Sequence, residues 1–184
     1  MASQGLDLDN AFIPETIEMA KNSHDEQWRM QWDAVQNLRI LNKYYFTALE
    51  SIIDQFATFL KGQVENLRSN NSRNALTLFQ EIFSHNADKC PEGRKVNDTW
   101  ALLLDINFAA IFAKTSADKK FLSLTAQKAV LAASEVSPLP VTSATLIKVS
   151  SSKSLVQAEF ACRSLEVLVK TAPIQLFAEQ HHEE

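Results

Sequence analysis

The residues in this chain able to do covalent or metal chemistry are few and scattered. Its four histidines are His24, His85, His181 and His182, and none has a cysteine or second histidine three or four positions away. Chelation of a metal along one helix face is therefore not available. His181 and His182 are neighbours in a polar tail, where solvation is the ordinary state. Cys90 precedes Pro91 with no base nearby in sequence and none of the local signatures of a cysteine nucleophile, and Cys162 is distant from it. Asp7 and Asp9 begin like a calcium loop, but the glycine and closing glutamate that such a loop needs are missing. There is no Gly-x-Ser-x-Gly elbow and no phosphate loop. No catalytic residue, metal or cofactor is expected, and the chain reads as a non-enzyme.

Chemistry of another kind, recognition of a partner surface, has better candidates. Trp28, Arg68, Arg73, Lys119, Lys120 and Lys153 are aromatic or cationic residues placed near breaks between helical segments. Tryptophan and arginine dominate interface hot spots. If the helices stack as pairs, the turns inside successive pairs align on one edge, which Trp28, Arg73, Lys119, Lys120 and Lys153 share, with Arg68 a further binding candidate. Trp32 and Trp100 lie on apolar helical faces and are expected in the core.

The elements that must position them are helical. Of 184 residues, 46% are hydrophobic and 22% charged, which suits a globular chain. Only 3 Gly and 5 Pro weigh against a sandwich or barrel, which needs many tight turns. The net charge of −4 argues against general attraction to nucleic acid or an anionic membrane. The longest apolar-rich stretch, Trp100 to Ala113, is broken by Asp105 and Asn107, so no membrane span is expected. Met1 to Asn10 has neither a basic nor an apolar region of the kind an export signal carries, so a reduced, cytoplasmic chain is the expectation.

Apolar residues at Trp28, Trp32, Val35, Leu38 and Leu41 keep one helical face apolar. The spacing predicts one long helix from Phe46 to Leu67, a break with Ser72 as N-cap at Asn70-Asn71-Ser72, and a helix through Leu76, Phe79, Ile82 and Phe83. A loop is expected from His85 to Val96, then helices over Trp100–Phe112 and Phe121–Val136 with a short polar break at Thr115–Asp118. Pro138 and Pro140 end the latter. A short helix over Val141–Val149, a serine break, and a helix over Leu155–Thr171 follow. Pro173 ends that helix, with a further turn at Ile174–Ala178. The pairs run Leu8–Leu41, Phe46–His85, Asp98–Val136 and Pro140–Thr171. Their second helices start near Trp28, Arg73, Lys119 and Ser154, separated by 45, 46 and 35 residues. That is the period of a HEAT or armadillo solenoid, with an irregular bundle as the alternative. Residues 1–13 read as a tail or helix lead-in, 14–173 as the repeat domain, and 174–184 as a turn and polar tail.

Several of these segments resemble one family. Gln63 to Phe83, with its Asn66-Leu67-Arg68-Ser69 turn followed by Ser72-Arg73, resembles the second repeat of a TOG domain, nearest in type to those of crescerin and CLASP proteins. Trp28-Arg29 resembles the tryptophan on the first tubulin-facing loop of many TOG domains. Ala113 to Leu122 resembles the third loop, and Ser150 to Val156 the fourth. The likeness spans about Pro14 to Pro173, with room for fewer repeats than such domains usually carry. The first loop, Asn22 to Gln27, holds Asp25 and Glu26. The resemblance implies an all-α, HEAT-like solenoid of about four to five helical pairs, a short paddle. It implies that the edge loops dock on tubulin or the microtubule lattice, in the cytoplasm and cytoskeleton. Crescerin-type domains further imply the cilium or axoneme. The alternative from the same residues is a HEAT-repeat adaptor for a protein or peptide other than tubulin.

Overall fold

The computed structural model describes residues 11–21, 27–89, 98–136 and 140–171. Among them every regular element is helical. In order these are α1 (Ile13–Lys21), α2 (Trp28–Tyr44), α3 (Phe46–Glu50), α4 (Ala57–Glu65), α5 (Ser69–Lys89), α6 (Asp98–Ala113), α7 (Lys120–Val136), α8 (Pro140–Ser150) and α9 (Leu155–Thr171). Short 3-10 turns lie at Ile53–Phe56 and Lys114–Ser116. No described helix is long and apolar enough to cross a membrane.

Sequence-adjacent helices pack as hairpins: α1 on α2, α4 on α5, α6 on α7, α8 on α9. The second helices also touch in order, α2 to α5 to α7 to α9, and α4, α6 and α8 touch in the same way. The result is two rows of helices. The heart of the first contact series is α5. Its Ala75, Leu76, Leu78, Phe79, Ile82 and Phe83 are each at most 1% exposed, because α2, α4 and α7 cover it from three directions. In the other row α6 is apolar nearly all round, as a helix enclosed on most sides must be. Trp100, Leu103, Leu104, Phe108 and Ile111 are buried along it. Its one buried amide, Asn107, donates to the backbone oxygens of Ala57 (3.1 Å) and Leu103 (2.9 Å). Trp100 stacks on Phe46, with ring centroids 5.6 Å apart, and donates to Glu50 at 3.1 Å, so its expected core position holds.

Several sequence expectations need correction. The predicted helix over Phe46–Leu67 is interrupted between Glu50 and Ala57. The residues there offer the backbone other partners: the Ser51 hydroxyl donates to the Ala48 carbonyl, and the Gln55 amide donates to the Asp54 carboxylate. Such local bonds compete with the helical ladder, and the β-branched pair Ile52-Ile53 supports it weakly. Ile53 and Phe56 remain buried across the break, so its apolar spacing alone looked continuous. The expected break at Asn70–Ser72 lies inside α5, whose first residue is Ser69. The true turn is four residues earlier. At Asn66 the backbone leaves the helix (ψ 136°), and the Arg68 amide donates to the Asn66 side chain. Ser72 is not an N-cap. Its buried hydroxyl donates to the carbonyl of Val64 at 2.6 Å, satisfying an oxygen that the end of α4 leaves without a helical partner. The predicted loop from His85 begins later, since α5 continues to Lys89.

The other boundaries agree within three residues. α6, α7 and α9 match their predicted spans, α2 runs three residues past Leu41 to Tyr44, Pro140 opens α8, and the helix over Val141–Val149 is present despite its β-branched content. Asp7, Asp9, His24, Cys90, Pro138, His181, His182 and the turn expected at Ile174–Ala178 lie outside the described residues.

Candidate recognition edge

Side chains link the starts of α2, α5, α7 and α9 and the described turns before them to one another. Turn one enters α2 at Trp28. Turn two, Asn66–Arg68, enters α5, and turn three, Ala117–Lys119, enters α7. Turn four, Ser151–Ser154, enters α9. Between turns one and two, the Arg68 guanidinium lies 5.5 Å from the Trp28 ring centroid. Between turns two and three, the Lys119 ammonium donates to the Ser69 hydroxyl at 2.7 Å, and Arg73 lies 5.6 Å from the Phe121 ring centroid. Between turns three and four, the Gln157 amide donates to the Ser116 hydroxyl at 2.7 Å. The start of each second helix is thus tied to the next by side chains at or beside the turns.

Of the six residues singled out in sequence, Trp28, Arg68 and Lys119 line a single hollow of about 510 Å³ with Leu67 and Phe121. Arg73 is exposed one turn into α5, Lys120 is exposed beside Lys119, and Lys153 is exposed at the fourth turn, beyond that hollow. Trp28 sits at the surface, 36% exposed, rather than in the core. Trp32 was expected in the core and is instead half-buried. It lines a second hollow beside Trp28 and Arg29, because α5 covers only part of this face of α2.

Two features escaped the sequence reading. Leu67, assigned to an apolar helical face, is 99% exposed, since the chain has turned at Asn66 and places it at the turn's tip. Leu155 (84%) and Phe121 (40%) are likewise exposed where they open or flank turns. A large apolar residue next to cations in a short break was the available signal. Arg29, noticed only as part of Trp28-Arg29, places its guanidinium 5.3 Å from the Trp28 ring centroid. Two arginines therefore share one indole, each such contact worth about 0.5–1 kcal/mol at an exposed site.

The described part of the edge is rich in cations. Arg29, Arg68, Arg73, Lys119, Lys120 and Lys153 have no carboxylate within ion-pair distance among the described residues, whereas Arg39 and Lys170 do, with Glu81 and Glu166. Asp118 is the acidic residue within turn three. A chain of net negative charge thus carries a local positive edge. Arg39 shows the contrast: its hydrogen bond to Glu81 raises its pKa above the ordinary value against the opposing effect of burial, and the pair is fixed between α2 and α5.

What holds the edge in register is a buried amide cluster. Asn71, 1% exposed, donates to the Trp28 carbonyl (3.1 Å) and reaches Gln31 and Gln63 at 3.4 Å each. Asn66 donates to the same Gln31 oxygen at 3.2 Å, and Asn74 donates to the Trp32 carbonyl at 3.2 Å. The first turn of α5 thereby grips the start of α2. Asn71→Ala should cost about 1–2 kcal/mol of stability, because the Trp28 carbonyl and the buried Gln63 side chain lose this donor while Gln31 keeps Asn66. Urea denaturation reads that loss. Tryptophan fluorescence should shift toward the red as the Trp28 end of α2 loosens, and an unchanged spectrum would contradict the gripping role.

No described cluster of three or more His, Cys, Asp or Glu is arranged to hold a metal, and Cys162 is exposed and free. Neither a protein-family model nor a curated protein matches this chain.

Proposed function

We propose that this chain is a non-catalytic, TOG-like tubulin- or microtubule-binding protein that docks through its hairpin turns. The observation that carries the reading is the linked edge: side chains at successive helix starts touch, Arg29 and Arg68 flank the exposed Trp28 indole, and Arg73, Lys119, Lys120 and Lys153 continue along it with no ion-pair partner among the described residues. The order of helix contacts in two rows supports a short HEAT-like solenoid, in which repeating turns must fall on one edge. Tubulin is an acidic partner, so a positive edge would steer encounter and set the register of docking, with binding that weakens as salt rises. Exposed Leu67 and Phe121 would add apolar contact that salt does not screen. A location on cytoplasmic or ciliary microtubules follows from the same reading.

The test is binding of the purified chain to free tubulin and to stabilised microtubules at low and high salt. Lys119→Glu/Lys120→Glu should abolish binding without altering helical circular dichroism, since both lysines are exposed. Equal binding by wild type and the double variant would overturn the edge as the docking surface. The adaptor reading, a partner other than tubulin, is favoured by a different feature, the groove between α2 and α5.

A further inference from the structure

That groove runs away from the turn edge along the face of α2 and α5. Two hollows of about 670 and 660 Å³ adjoin at Gln36 and Arg39, whose side chain crosses between them to Asn74 and Glu81 of α5. Trp28 and Trp32 wall one end and Tyr44, 64% exposed, the other. Trp28 and Tyr44 are the first and last residues of the 17-residue α2, which places them about 24 Å apart along the axis. An extended peptide of about seven residues has that length.

The groove's free charge is positive at both ends. Arg29 and Arg73 stand at the tryptophan end, and Lys43 at the other, 4.9 Å from the Tyr44 ring centroid. Among the described residues none of the three has a carboxylate at ion-pair distance, while Glu81 is engaged by Arg39 and Asp33 is the other acid in the lining. Gln36 accepts from Arg39 through Oε1 at 3.1 Å, which leaves its Nε2 to donate to a ligand carbonyl midway along the groove.

We infer that the α2/α5 groove binds an extended acidic peptide segment of another protein. Acidic side chains near its two ends would meet Arg29 or Arg73 and Lys43, and an apolar side chain would lie against Trp32. About 21 Å of helix axis separates Arg29 from Lys43, so the acidic residues should stand about six positions apart. This inference goes beyond the turn-edge reading and does not rest on it.

The experiment titrates the full-length chain into a fluorescein-labelled seven-residue peptide with glutamate at both ends and phenylalanine second, followed by anisotropy. Saturable binding is expected. It should weaken about tenfold when both glutamates become glutamine, and by a similar factor in Lys43→Glu, as loss of partly exposed charge pairs predicts. Lys119→Glu/Lys120→Glu, which strikes the turn edge, should leave the peptide affinity unchanged, so the two sites fail separately. No saturable binding up to about 1 mM, or equal affinity for a peptide with lysine at both ends, would overturn the inference. So would a dimer in sedimentation equilibrium that Lys43→Glu converts to monomer, because the groove would then be an interface between copies.

Discussion

Phe79→Ala should destabilise the fold by about 3–5 kcal/mol, the cost of truncating a fully enclosed aromatic. Phe79 is 0% exposed on α5, the helix that α2, α4 and α7 all pack against, and its ring lies 6.3 Å from that of Phe83. The cavity would open where three neighbours meet and none can collapse without leaving the others. For a chain of this size that loss lowers the melting temperature by about 6–20 °C. Thermal and urea denaturation measure it. A loss below about 1 kcal/mol would contradict the central place given to α5, since only a site able to collapse fully tolerates such a deletion.

Trp28→Ala should weaken tubulin binding by about 30-fold, the effect of removing a hot-spot aromatic worth about 2 kcal/mol. The indole is the meeting point of Arg29 and Arg68, so its loss frees both guanidiniums as well as removing apolar contact. Because Trp28 stands at the surface, circular dichroism should change little, and melting should fall by only a few degrees as the two cation–π contacts are lost. Trp100→Ala serves as the opposite control: that ring is 3% exposed, stacked and hydrogen-bonded, so its loss should act on stability. Trp28→Phe should retain part of the affinity. Titration with labelled tubulin separates these outcomes, and an unchanged affinity in Trp28→Ala would remove the indole from the docking surface.

Helix existence was legible wherever apolar residues recur every three or four positions, as in Trp28 to Leu41 and Phe121 to Val136, because burial of one face imposes that period. What the period could not convey was how polar residues are used. Asn70-Asn71-Ser72 has the composition of a loop, yet Asn71 and Ser72 are buried. Their side chains satisfy the carbonyls of Trp28 and Val64, backbone groups of neighbouring helices. That service depends on tertiary packing and leaves no trace in local spacing. The same holds for Ser51 and Asp54, whose backbone bonds divide a segment that otherwise reads as one helix. The edge was legible in outline, since Trp28, Arg68, Arg73 and Lys119 are indeed neighbours. Leu67 and Trp32 were misplaced for a common reason: a helical-face pattern assigns direction only while the helix continues and only where another helix covers it.

The most direct test of the turn edge as a tubulin-docking surface is zero-length carbodiimide cross-linking of the chain to tubulin, read by mass spectrometry. Such cross-links join a lysine only to a carboxylate already in contact with it. The account predicts cross-links from Lys119, Lys120 and Lys153 to tubulin carboxylates, lost at high salt. Cross-links confined to Lys43 and other lysines away from the turns, or none at all under conditions where Lys119 reacts with small carboxylates, would contradict it.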